Sequence, residues 1–135
     1  MAIQKLSALA DDFPMVEVEF EDLFGCTYKV DGRLPDGFLD CLGIVLEIYR
    51  RAGLLLPDVR REGRAFDFPE LFEAVAIPDR LYDLVVTNRG EIGVGVVVRP
   101  GQVLSCERIR GVTLRPTKVF PSDTKFWRVR DDCLP

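Results

Sequence analysis

The chain has 135 residues, of which 47% are hydrophobic and 30% charged, and its formal net charge is −4 at pH 7. This length suits one compact core, so residues 1–135 are predicted to form a single domain. The acidic balance excludes a general nucleic-acid binder, because basic pairs such as Arg50-Arg51 are too short to follow a phosphate backbone. No apolar run reaches the length of a membrane span.

The chain contains no histidine and four cysteines, at positions 26, 41, 106 and 133. The absence of histidine removes the usual general base near neutral pH and the usual partner of a catalytic cysteine. Because the chain has no histidine and no Cys-x-x-Cys spacing, we do not expect a structural zinc site. No cofactor is predicted. The N-terminal residues lack a signal-peptide pattern, which predicts a protein that is cytoplasmic when synthesised and keeps its thiols reduced.

The first half of the chain predicts helices. Residues 1–12 are expected to form a loosely held arm, and Met15 to Gly25 fits either a strand or a helix. The clearest element is a buried helix that begins at Asp40, whose carboxylate can cap it, and ends near Gly53. A short amphipathic helix is predicted after it, from the residues Pro69, Leu71, Phe72 and Val75.

The second half of the chain predicts strands, separated by glycine, proline and asparagine turn signals. The β-rich runs are Tyr82 to Thr87, Ile92 to Val98, Val103 to Cys106, Val112 to Arg115 and Phe126 to Arg130. Helices followed by strands predict an α+β domain, in which N-terminal helices pack on an antiparallel sheet.

Cys41 is predicted to lie in the first turn of the buried helix. Free backbone N–H groups and the helix dipole stabilise a thiolate at that position, which favours a nucleophile. A small core residue is the commoner role of a free cysteine, and spacing alone favours it. The decision between the two roles depends on the surrounding residues.

The residues around Cys41 follow an ordered pattern. Asp40-Cys41 is followed by Gly43, then by Ala52-Gly53 and Leu56-Pro57, and it is preceded by Gly25 and Tyr28. This order resembles the nucleophile segment of the NlpC/P60 peptidoglycan hydrolases, which have a papain-like fold.

The resemblance continues into the strands and covers about residues 20 to 130. Tyr82-Asp83-Leu84-Val85 is similar to the family's Gly-Asp-Leu-Val, with tyrosine in place of glycine, and Gly93-Val94-Gly95 is similar to its His-Val-Gly. Phe126 to Val129 resembles the last strand of the versions found among phage tail proteins.

Carried over residue by residue, the resemblance places the family's nucleophile on Cys41, its general-base histidine on Gly93 and its third residue on Ser105. General acid–base assistance is worth about 10²–10⁴-fold, so loss of the histidine implies little hydrolysis. The resemblance therefore implies a catalytically inactive domain. Its expected role is that of a binding or structural component of a phage or prophage tail-like assembly, or of a cell-wall-associated system.

Two alternatives stay open. An active cysteine peptidase or amidase acting on peptidoglycan peptides would need a non-histidine base, and the candidates are Tyr28, Asp40, Glu91 and Ser105. Tyr28, Asp40 and Glu91 are also the candidate binding residues. The third hypothesis is a structural domain in which Cys41 has no inherited role. The expected partners are a peptidoglycan peptide or a tail protein. A tail protein as the partner would imply a tail-associated location.

The loop at Pro100-Gly101 determines where Ser105 lies. A two-residue turn pairs Val96 with Ser105 and turns the serine away from the face of Gly93. A loop one residue longer pairs Gly95 with Ser105 and places it on that face. The sequence leaves both registers open, and the glycine at position 101 suits the longer loop.

Overall fold

A computed structural model describes residues 7–8, 17–33, 37–58, 71–87, 93–120 and 123–134. In this part of the chain, one α-helix packs against a six-stranded antiparallel sheet, which is an α+β arrangement. The helix is α1 (Cys41–Arg51), and short 3-10 helices cover Glu21–Gly25, Thr117–Val119 and Asp131–Cys133. The strands are β1 (Ser7–Ala8), β2 (Thr27–Tyr28), β3 (Phe38–Leu39), β4 (Leu54–Leu55), β5 (Phe72–Val75), β6 (Leu84–Val86), β7 (Val94–Arg99), β8 (Gln102–Glu107), β9 (Gly111–Pro116) and β10 (Lys125–Val129).

The helix α1 confirms the strongest prediction from the sequence. Asp40 caps its N-terminus, and after Ala52 the chain turns at Gly53, whose φ of +98° is the left-handed conformation that glycine favours. The apolar face of α1 is buried and consists of Ile44, Val45, Ile48 and Tyr49. The two arginines of its last turn lie where the helix dipole favours positive charge.

The main sheet has the strand order β5-β10-β6-β7-β8-β9, and every neighbouring pair is antiparallel. All five predicted strands are confirmed, with ends that differ by one or two residues from the expected bounds. A smaller parallel pair, β2 and β3, joins Tyr28 to Leu39 immediately before Asp40. Within the predicted N-terminal arm, β1 pairs with β4.

The core lies on both faces of the central strands. The larger cluster contains the buried face of α1 together with Leu84, Val96 and Leu104 of the sheet. Their chain neighbours Val85, Val97 and Val103 form a second cluster with Phe120 and Phe126. Because side chains alternate along a strand, the two clusters occupy opposite faces. Each fully buried side chain of this size stabilises the fold by about 1.5–3 kcal/mol.

The predicted second helix is wrong over Phe72–Val75, whereas Leu71 is helical. Phe72–Val75 form β5, the edge strand, and pair antiparallel with Phe126–Val129 of β10, while Pro69 lies outside the described residues. Four residues are too few for a helix that is stable alone, whereas pairing with β10 satisfies their backbone groups. Of the ambiguous segment from Met15 to Gly25, the described part ends in the 3-10 helix Glu21–Gly25.

Of the predicted N-terminal helices, the described residues therefore contain α1 and the helical residue Leu71. No helix within the described ranges is both long enough and apolar enough to cross a membrane.

Tyr82 has an unusual backbone conformation for a bulky residue. Its φ is +70°, yet its side chain is buried and packs edge-on against Tyr49 with ring centroids 6.0 Å apart. The Tyr49 hydroxyl donates a hydrogen bond to the carbonyl of Tyr82, and burial raises the pKa of Tyr49 well above its usual value. Packing of the two rings therefore holds Tyr82 in a strained conformation.

We expect Tyr82→Gly to destabilise the fold despite relieving this strain. A left-handed conformation costs about 1–2 kcal/mol, whereas removal of a buried aromatic ring costs about 3–5 kcal/mol. The net loss in the free energy of unfolding should be about 2 kcal/mol, measured by urea denaturation. The control is Asp31→Gly, at an exposed position with a φ of 62°, which should change stability by less than about 1 kcal/mol. A gain in stability for Tyr82→Gly would contradict the dominance of packing.

Candidate functional site

The Asp40 carboxylate holds the start of α1 to the preceding turn. Its Oδ1 accepts hydrogen bonds from the Gly43 amide at 2.7 Å and from Arg33 Nη1 at 2.8 Å. Its Oδ2 accepts one from the Asp31 amide at 2.9 Å. Asp40 is almost completely buried, so these bonds also satisfy its charge. The carboxylate caps the helix and is occupied in doing so, which makes it a poor candidate for a base.

Arg33 extends this arrangement beyond Asp40. Its guanidinium forms a second, bidentate pair with Asp58, with nitrogen–oxygen distances of 2.8 and 3.0 Å, and donates to the Gly32 carbonyl. Both acids raise the pKa of Arg33 further, against the opposing effect of its burial. The turn before α1 is therefore clamped to the chain that follows β4.

The structure explains why the residue two positions after Cys41, Gly43, is a glycine. A Cβ there would lie 2.5 Å from the Gly32 carbonyl oxygen and 3.1 Å from Arg33 Nη1. The turn that carries Gly32 and Arg33 thus packs directly on the first turn of α1. The spacing Asp-Cys-x-Gly follows from this contact, because the aspartate caps the helix and the glycine admits the turn.

Cys41 lies directly against Gly93, the residue just before β7. A Cβ on Gly93 would be 3.3 Å from Cys41 Sγ and 3.9 Å from its Cβ, so the thiol lies beside Gly93. The two positions predicted to form the family's cysteine–histidine pair are therefore neighbours. A side chain at position 93 would need the Cys41 side chain to move by a few tenths of an ångström.

Cys106 is a third residue at this site. Its Sγ lies 3.3 Å from the carbonyl oxygen of Leu39, the residue before Asp40. Burial raises the pKa of Cys106 to about 12, and the negative charge of Asp40 adds to this shift. Cys106 therefore stays a protonated thiol, and its proton is directed at the loop that leads into α1.

Ser105 lies opposite Gly95 on the neighbouring strand, which is the second of the two predicted registers. The loop itself is a two-residue turn, because Arg99 pairs with Gln102, and an irregularity between Val97 and Arg99 shifts the register instead. The Ser105 side chain is buried and its Oγ has no hydrogen-bond partner in the described structure. Ser105 therefore does not orient another side chain.

Tyr28 lies beside the loop that leads into α1, since β2 pairs it with Leu39. Its ring is half-buried, and the guanidinium carbon of Arg108 lies 5.9 Å from the ring centroid. Glu91, the remaining candidate residue, lies outside the described residues.

A cavity of about 230 Å³ lies along α1, where residues from Gly43 to Arg50 contribute to its lining. Its lining includes Arg33, Gly43, Leu46 and Leu55, and its charges form the pairs Arg33–Asp58 and Arg50–Glu47. Because these charges are matched within the protein, the cavity presents no free charge to a ligand. Cys41 is not among its lining residues.

The site therefore places a half-buried thiol in the first turn of α1, directly after the aspartate that caps the helix. The Asp40 carboxylate accepts three hydrogen bonds, and the Ser105 hydroxyl has no hydrogen-bond partner among the described residues. The sequence contains no histidine. Among the described side chains, no group of three or more cysteines or acids is placed to hold a metal ion. A comparison with models of known protein families finds no match, and a comparison with curated protein sequences finds none either.

We expect Gly43→Ala to destabilise the protein, because its methyl group would meet the backbone of Gly32. Overpacking of this kind costs about 1–3 kcal/mol, more than alanine gains as a helix former. The matched control is Gly25→Ala, since no atom lies within 4 Å of a Cβ at that position. Urea denaturation should show a loss of about 2 kcal/mol for Gly43→Ala only. Equal stability of the two variants would contradict the close approach.

The cysteines of the site should differ in reactivity. Cys41 is half-buried at a helix N-terminus, whereas Cys106 is fully buried and has a pKa of about 12. Near neutral pH, iodoacetamide should modify Cys41 at least about tenfold faster than Cys106. Mass spectrometry of the modified peptides measures both rates, and the urea-unfolded chain, in which the rates converge, is the control. Equal rates in the folded protein would contradict this arrangement.

Proposed function

We propose that the chain is a catalytically inactive domain with the papain-like fold of the NlpC/P60 hydrolases. In this proposal, the domain serves as a binding or structural component of a phage or prophage tail-like assembly, or of a cell-wall-associated system. The observation that carries the proposal is the contact between Cys41 and Gly93. The resemblance pairs these two positions across about fifty residues of sequence. A Cβ on Gly93 would lie 3.3 Å from Cys41 Sγ, which agrees with that pairing.

Two further observations support the same fold. The pairing of Gly95 with Ser105 is the register that the resemblance requires. Tyr82 has a φ of +70° at the position where the family's pattern has glycine, the residue that adopts this conformation without strain. The strand pairing and the φ of Tyr82 come from the structure and not from the sequence motifs, so each supports the alignment independently.

The proposed loss of catalysis rests on the geometry around the thiol. Amide hydrolysis by a cysteine needs a group that takes the thiol proton and later returns one to the leaving amine. Gly93 has no side chain, and the Asp40 carboxylate is already bonded to Gly43, Arg33 and Asp31.

The proposed role in binding or assembly rests on the tail-protein character of the resemblance, which is an argument from fold. A domain that keeps the fold without its base retains a surface around Cys41 and Tyr28 but no proton transfer. Such a domain contributes contacts to its setting, either with peptidoglycan or with other tail proteins.

The test of inactivity compares the wild-type protein with Cys41→Ala on soluble peptidoglycan fragments. New amino groups, quantified over time, should appear at the same background rate with both proteins. Hydrolysis that the wild type catalyses and Cys41→Ala does not would overturn the proposed inactivity and favour the active peptidase. Folding of both proteins is checked by circular dichroism.

The test of binding uses sedimentation with intact peptidoglycan sacculi, together with light scattering of the protein alone. Retention on the sacculi supports a cell-wall role, and formation of defined oligomers supports an assembly role. A protein that stays monomeric and does not sediment with sacculi would overturn the binding role.

A further inference from the structure

We draw no further inference here: the strongest candidate, the cavity along α1 that Arg33, Leu46 and Leu55 help to line, carries none because its charges are matched within the protein and nothing in the structure shows what would occupy it.

Discussion

The buried Asp40 carboxylate is the contact on which the rest of the site depends. It caps α1, binds the turn that carries Arg33, and sets the position of Cys41 by fixing where the helix begins. Removal of a helix cap costs about 0.5–2 kcal/mol, and removal of one partner from a buried ion pair costs about 3–5 kcal/mol. One side chain thus joins local helix formation, tertiary packing and the placement of the thiol.

The elements with a strong sequence period could be predicted, and those held only by tertiary contacts could not. The helix after Asp40 and the strands from Leu84 onward have apolar periodicity, caps and turn residues that agree with one another. The segment Phe72–Val75 has spacings that fit a helix equally well, and its pairing with β10 decides its conformation. No local signal reports a partner more than fifty residues away.

The candidate site was predictable to the extent that it follows linear motifs. The Asp-Cys pair and Gly43 predicted that Cys41 lies in the first turn of the helix. The resemblance predicted that Gly93, in the other half of the chain, lies beside Cys41. The register of Ser105 depends on an irregularity after Val97, which has no sequence signature of its own. The proximity of Cys106 to this site follows from that register, so the sequence alone did not indicate it.

The contact between Cys41 and Gly93 also limits how the site can change over evolutionary time. Any residue other than glycine at position 93 brings a Cβ to 3.3 Å from the thiol sulfur, closer than such atoms normally pack. A larger residue at position 93 therefore requires the Cys41 side chain to move by a few tenths of an ångström. Substitutions at positions 41 and 93 are thus coupled, although the two residues belong to opposite halves of the chain.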